Sequence, residues 1–158
     1  MFFAVEKFQR RAEEMADRRY VDMTSIAPMT AMEDTLDKDA VHTQVPEVVE
    51  GFTFDQGDHF VGRDRYLWIE RTLTLPEARE GYEVCGRFDF GETGGGFNSA
   101  FESLLYVDGH PYQGVDTYHN DVVFQPLAGK EARLTFLLWT GLEGGGEHRN
   151  FYHQFRKA

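Results

Sequence analysis

Two side chains that could form an acid–base pair lie close together in the sequence. Asp116 and His119 are three residues apart, and a carboxylate can fix the tautomer of an imidazole and raise its basicity. Such a pair is half of a catalytic dyad, but no obvious serine or cysteine nucleophile accompanies it here. The alternative is structural, because a loop aspartate commonly accepts hydrogen bonds from backbone N–H groups of its own turn. We favour this bracing interpretation.

Two glycine-rich segments, residues 91–99 and 141–147, have the composition of ligand-binding loops. Backbone N–H groups in such loops can cradle a phosphate, but both segments contain acidic residues and lack the Lys-Ser/Thr pair of a P-loop. We therefore expect turns at one end of a β-fold instead of a phosphate site. Loops in that position can also hold a sugar, and Phe97 and Asn98 would supply the stacking and hydrogen-bonding groups.

The remaining reactive side chains do not predict a metal site or a nucleophile. Cys85 is the only cysteine, which excludes an intrachain disulfide and fits a reducing compartment. It lies in an apolar strand-like run, which predicts a small buried thiol. No histidine or cysteine spacing matches a zinc-binding pattern, so we assign no metal ligand and no catalytic residue to this chain. The six histidines are His42, His59, His110, His119, His148 and His153.

The size and charge of the chain exclude several classes of partner. Its 158 residues amount to one ordinary domain, and a formal net charge of −11 is unsuited to binding nucleic acid or an anionic membrane. The apolar run at residues 1–5 is too short for a signal peptide, and no segment reaches transmembrane length. We expect a cytoplasmic protein that binds neither nucleic acid nor membrane.

The secondary structure that must position these side chains is predicted to differ between successive parts of the chain. Residues 1–20 form the first unit, and apolar side chains recur there at three- and four-residue steps, which predicts a helix from residue 2 to residue 20. The stripe needs a surface to pack on, in this domain or in another. Residues 21–50 are acidic, show no period and predict an irregular connection. The apolar stripe consists of Val5, Phe8, Ala12 and Met15.

Residues 51–158 have the pattern of a mainly β domain. Short segments of alternating apolar and polar residues are separated by turns, and Asp108-Gly109 between two apolar runs predicts a tight hairpin. This pattern favours an antiparallel β-sandwich, and a jelly roll is our first choice. Trp68 and Trp139 fall mid-strand and are predicted to pack in the core. The predicted strands are 66–75, 82–90, 101–107, 112–115, 121–125 and 132–140.

Two stretches of this β region resemble known sequences. Residues 104–119, LLYVDGHPYQGVDTYH, resemble the "LLYVDG-P-QG-D--H" segment near the N-terminus of family 38 glycoside hydrolases, the zinc-dependent α-mannosidases. Residues 68–76, WIERTLTLP, resemble the "W-x-R-x-F-x-L-P" strand of galactose-binding-like jelly rolls, which are often attached to glycosidases. The resemblance covers roughly residues 50–140, and the N-terminal helix and acidic connection carry no matching motif.

The resemblance implies that this chain is the N-terminal, non-catalytic domain of an α-mannosidase of the cytosolic and bacterial type. Such an enzyme hydrolyses terminal α-linked mannose from oligosaccharides with retention of configuration, and its zinc and catalytic carboxylates belong to a barrel domain that no part of this chain matches. The loop carrying Gln113, Asp116 and His119 would face that catalytic domain of the same polypeptide. Phe151, Tyr152 and Phe155 would lead into it, and oligomerisation is common in the family. By itself the fragment is expected to be inactive, without a cofactor.

An alternative of a different class stays open. The chain can also be interpreted as a free-standing carbohydrate-binding β-sandwich with no catalytic partner. In that case Phe97, Asn98 or the second glycine-rich segment would contact sugar.

Overall fold

The computed structural model describes residues 4–16, 18–35, 44–55, 58–60, 64–90, 101–140 and 153–154. They contain one α-helix, ten short or medium strands and one 3-10 helix at Gln125–Leu127. The α-helix, α1, is Ala4–Ala16. The strands are β1 (Met29–Asp34), β2 (Phe52–Phe54), β3 (His59–Phe60), β4 (Tyr66–Thr74), β5 (Cys85–Arg87), β6 (Glu102–Val107), β7 (His110–Asp116), β8 (Asp121–Val123), β9 (Glu131–Trp139) and β10 (His153–Gln154).

Six of these strands form one antiparallel sheet in the order β2-β1-β4-β9-β6-β7. Its centre is the pair β4–β9, in register from Tyr66 opposite Trp139 to Thr74 opposite Glu131. Strand β9 also pairs with β6, so strands that are distant in sequence lie side by side. The other described strands form two small antiparallel pairs, β3–β10 and β5–β8.

The first face of the six-stranded sheet carries the main core. In β9, every second side chain is apolar and buried, as the alternation predicts, and Leu67 and Ile69 of β4 continue this buried face up to the exposed Arg71. Phenylalanines that flank β5 and β8 cover this face: the ring of Phe136 lies 4.6 Å from that of Phe88 and 5.2 Å from that of Phe90. The two layers share one hydrophobic core, so the predicted antiparallel β-sandwich with an N-terminal helix is confirmed.

The layer formed by β5 and β8 corrects two predictions. Only Cys85–Arg87 is a strand within the predicted segment 82–90, and Tyr82 is exposed beside the guanidinium of Arg79. Gly86 faces the core, where a Cβ atom would lie 2.6 Å from the ring of Phe124. Because neighbouring strand residues point to opposite sides, Cys85 faces outward and is exposed, so the predicted buried thiol is wrong.

The second face of the six-stranded sheet is covered in part by residues 44–50. Val49 packs on Trp68 and Tyr106, which are each only 3 % exposed. Arg133 donates a hydrogen bond of 2.9 Å to the carbonyl oxygen of Pro46, and its guanidinium pairs with Glu70. Residues 44–50 are therefore docked on the sheet.

The connection predicted over residues 21–50 also contains a strand. Met29–Asp34 forms β1, between β2 and β4, so the prediction of an entirely irregular segment is wrong. Ala31 and Met29 bury their side chains in the main core, while Glu33 pairs with Arg65 and Asp34 accepts the indole N–H of Trp68. Pairing with β4 gives this acidic segment its strand conformation. Residues 36–43 lie outside the described part of the chain.

Helix α1 is described from Ala4 to Ala16, and residues 18–20 after it are not helical. Every residue of α1 is exposed, including Val5, Phe8 and Met15 of the apolar stripe. The described part of the domain therefore does not bury this stripe. In the described residues, no helix has both the length and the apolar character needed to cross a membrane.

Candidate functional site

The hairpin of β6 and β7 holds the segment that carries the sequence resemblance. Its two loop residues, Asp108 and Gly109, both have positive φ angles, of 50° and 81°, as a type I′ turn requires. The backbone N–H of Asp108 donates to the carbonyl of Arg133, and its carboxylate accepts the N–H of Arg133, each at 2.9 Å. The turn is thus tied to β9, and the predicted hairpin is confirmed.

Asp116 and His119 lie together where β7 ends. Oδ1 of Asp116 accepts the backbone N–H groups of Tyr118 at 2.7 Å and His119 at 2.8 Å, and the imidazole Nδ1 of His119 lies 3.0 Å from Oδ2. Burial alone would raise the pKa of Asp116, but the hydrogen bonds from His119 and from the two backbone amides outweigh it and lower that pKa. Asp116 is therefore a charged group that braces its own turn.

This geometry does not make His119 part of a nucleophilic centre. Its side chain is 74 % exposed, and its hydrogen bonds within the described residues go to Asp116. With Nδ1 held by the carboxylate, Nε2 is the nitrogen left to face solvent or a neighbouring surface. The turn thus presents an oriented imidazole that is suited to a polar contact.

Gln113 does not join the other two residues of the predicted loop surface. Its side-chain amide donates to the carbonyl oxygen of Asp121 at 3.0 Å, which links β7 to β8 across the sandwich. In β7 it lies on the side of the buried Val115, whereas Asp116 lies on the opposite side of the strand. Gln113 therefore holds the two layers together. Phe97, Asn98, both glycine-rich segments, and Phe151, Tyr152 and Phe155 lie outside the described residues.

The second face of the sheet brings Asp116 into line with residues that the sequence did not single out. The strand registers place Tyr66 opposite Trp139, Trp139 opposite Glu102, and Glu102 opposite Asp116. Residues directly opposite in antiparallel strands have Cβ atoms about 5 Å apart. These four residues form one row across β4, β9, β6 and β7, which we name the aromatic–acid row.

Trp139 is the central residue of the aromatic–acid row, and it corrects a prediction. It is half-buried and belongs neither to the main core nor to the cluster of Val49, Trp68 and Tyr106, so its predicted core position is wrong. Trp68 is buried as predicted. Its indole N–H donates to Oδ1 of Asp64 at 3.0 Å. Alternation in β9 separates Trp139 from the buried Leu138 and Phe136, and this was the available signal in the sequence.

The charges around the aromatic–acid row are negative. Burial raises the pKa of Tyr66, and the nearby carboxylates of Asp64 and Glu102 raise it further, so the phenol stays protonated as a hydrogen-bond donor. Glu102 is exposed, and its carboxylate has no hydrogen-bond or ion-pair partner among the described residues. Next to the row on the same face, Gly114 is exposed, and a Cβ atom there would meet only the backbone oxygen of Ser103, at 3.9 Å. The row therefore combines an indole and a phenol with the exposed carboxylate of Glu102, while the carboxylate of Asp116 is engaged by its own turn.

A second polar cluster lies on the outer side of β5 and β8. Tyr20 donates its hydroxyl to Asp121 at 2.6 Å, Arg19 pairs with the same carboxylate at 2.7 Å, and the guanidinium of Arg87 lies over the Tyr20 ring. Although Cys85 is exposed, the surrounding protein partly desolvates its thiol, and this desolvation and then the charge of Asp121 raise the pKa of that thiol. The cluster thus anchors the chain after α1 and does not activate the thiol as a nucleophile.

Across the described ranges, no group of three or more histidine, cysteine, aspartate or glutamate side chains is placed to hold a metal ion. No protein-family model, curated protein or solved structure matches this chain.

Proposed function

We propose that this chain is the N-terminal, non-catalytic β-sandwich domain of an α-mannosidase resembling glycoside hydrolase family 38. The motif resemblance over residues 104–119 and the sandwich that contains it support the proposal. The observation that carries it is the turn of Asp116 and His119: its carboxylate is engaged by backbone amides while its imidazole is exposed. A braced turn of this kind suits contact with a neighbouring domain better than chemistry of its own.

In this proposal the domain packs on the catalytic barrel of the same polypeptide and limits access to its pocket. The exposed stripe of α1 supplies a second contact surface, because apolar side chains such as Phe8, 75 % exposed, gain free energy when a partner covers them. The parent enzyme would act on terminal α-linked mannose of oligosaccharides. It would be cytoplasmic, in keeping with a single cysteine, and its zinc and catalytic carboxylates would come from the barrel.

The test is to sequence the gene beyond the codon for Ala158. The protein encoded by the longer reading frame is then assayed for hydrolysis of an aryl α-mannoside. We expect the reading frame to continue into a barrel domain, and we expect hydrolysis that a zinc chelator abolishes. In that product, Asp116→Ala should lower activity or stability, while Asp116→Asn, which keeps the Oδ1 acceptor, should have the smaller effect. A stop codon soon after Ala158, or a longer product without α-mannosidase activity, would refute the proposal.

A second candidate function, a free-standing carbohydrate-binding module, has one observation in its favour. The aromatic–acid row places a half-buried indole beside the exposed, unpaired carboxylate of Glu102. If the gene ends near Ala158 and the chain binds a sugar, this function replaces the first.

A further inference from the structure

We propose that the aromatic–acid row, with Trp139 at its centre, is a binding site for a neutral hexopyranose. Trp139 lies between Tyr66 and Glu102 in the strand registers, so the row places rings and an acceptor side by side. The site does not depend on the proposed function; only the choice of a mannoside as the first ligand rests on it.

The side chains match the two kinds of surface that a sugar ring offers. The C–H face of a hexopyranose packs on an aromatic ring, and its hydroxyl groups donate to carboxylate oxygens. Trp139 provides the ring, and the exposed carboxylate of Glu102, which has no hydrogen-bond partner among the described residues, provides the acceptor, while the ring of Tyr66 flanks the indole. Tyr66 and Glu102 are two strand spacings apart, about 10 Å, which leaves room for a sugar ring above Trp139.

Two neighbouring positions are exposed, and a hydrogen bond holds the indole in place. On the same face the next row towards the hairpin holds Gly114, which is exposed and has no side chain, opposite Leu104, which is half-buried against the cluster of Val49, Trp68 and Tyr106. The hydrogen bond from the indole N–H to Asp64 fixes one edge of the Trp139 ring. A ring held in this way loses little freedom when a ligand stacks on it.

The same residue types could also attract an organic cation, because rings and carboxylates favour positive charge. Cation sites of this kind surround the ligand with rings. Here Tyr66 and Trp139 stand side by side on one sheet face, and such an arrangement suits a flat ligand with hydroxyl groups. The arrangement therefore favours a sugar over an organic cation, and binding of a cation alone would overturn the proposal.

The experiment is a titration of the 158-residue chain with methyl α-mannopyranoside, followed by the two indole N–H signals in a two-dimensional ¹H–¹⁵N spectrum. The chain has two tryptophans, and Trp68 is buried beneath Val49, so it serves as an internal control. We expect a saturable shift of the Trp139 signal with a dissociation constant in the millimolar range, and no shift of the Trp68 signal. Trp139→Phe assigns the signal by removing it.

Two glutamine variants test whether the row itself binds the sugar. Glu102→Gln should weaken binding about tenfold, since a hydrogen bond to a charged acceptor is stronger than one to an amide. Glu131→Gln is the matched control: this exposed acid lies in β9 on the same face at its far end, and its loss should leave binding unchanged.

Either of two results would overturn the proposal. One is the absence of any shift with the methyl glycosides of mannose, glucose and galactose. The other is a Trp139 shift with tetramethylammonium, at constant ionic strength, but with none of the sugars. Neither result bears on α-mannosidase activity of a longer gene product, so failure of this site and failure of the proposed function are distinguishable.

Discussion

Removing the Asp116 carboxylate tests whether this residue braces its turn. In Asp116→Ala the two backbone N–H groups of Tyr118 and His119 lose an acceptor at 2.7 and 2.8 Å, and the imidazole loses its partner. Because Tyr118 and His119 are exposed, water can replace part of the lost bonding. The loss then resembles removal of a helix N-cap, and we expect the free energy of unfolding to fall by about 1–2 kcal/mol.

The assay is urea unfolding at neutral pH of the 158-residue chain and its Asp116→Ala and Asp116→Asn variants. Asn keeps one acceptor oxygen, so that variant should lose less than half as much stability, with the slope of the transition unchanged. A change of 1–2 kcal/mol corresponds to a melting temperature lower by about 2–8 °C for a chain of this size. An Asp116→Ala protein within about 0.3 kcal/mol of the wild type would refute the bracing interpretation.

The lowered pKa of Asp116 adds a pH dependence with a definite sign. A carboxyl whose pKa is lower in the folded than in the unfolded chain stabilises the fold above its unfolded pKa, about 3.9, and loses this effect as the pH falls through its folded pKa. The stability advantage of the wild type over Asp116→Asn should therefore be complete near pH 6 and disappear in acid. An advantage that does not change with pH would contradict the charge-based part of the argument.

Three further predictions concern other parts of the domain. Gly86→Ala should destabilise by about 1–3 kcal/mol in urea unfolding, because its Cβ would lie 2.6 Å from the buried ring of Phe124. Gly114→Ala should change stability by less than about 0.5 kcal/mol, because its Cβ would make only an ordinary contact of 3.9 Å with the backbone oxygen of Ser103. Phe8→Asp should also stay within about 0.5 kcal/mol in this chain, since α1 is exposed, and a larger loss would mean that the domain buries the helix. Cys85 should react with iodoacetamide more slowly at pH 7 than a free thiol, and the difference should shrink as the pH rises, because its pKa is raised; an equal rate at pH 7 would contradict this.

The strands that alternate clearly were predictable, and the strand that depends on a partner was not. Local alternation predicted 66–75 and 132–140, and the structure has Tyr66–Thr74 and Glu131–Trp139. Strand β1, Met29–Asp34, consists largely of residues with weak strand preference, and its conformation follows from pairing with β4, as in Ala31 opposite Ile69. A pattern within one segment cannot contain that information.

The candidate site could not be predicted from the sequence, for a related reason. Alternation in β9 indicated that Trp139 faces away from Phe136 and Leu138, but it did not indicate which residues stand beside it. Tyr66 and Glu102 are its neighbours only because β4 and β6 flank β9, an order that follows from long-range pairing. Asp116 was singled out as a possible member of a dyad, and the registers instead align it with an aromatic surface.

The two tryptophans show how one sheet face can be core at one end and surface at the other. Trp68 lies opposite Leu137 and Trp139 opposite Tyr66, two residues further along the strands, so the indoles occupy adjacent rows about 7 Å apart. Residues 44–50, held through Arg133 at the far end, cover the row of Trp68, while Trp139 stays half-buried. Each indole N–H nevertheless has a carboxylate partner, from Asp34 or Asp64. Since both are held in the same way, accessibility is what separates them, and a ligand for this face should reach Trp139 alone.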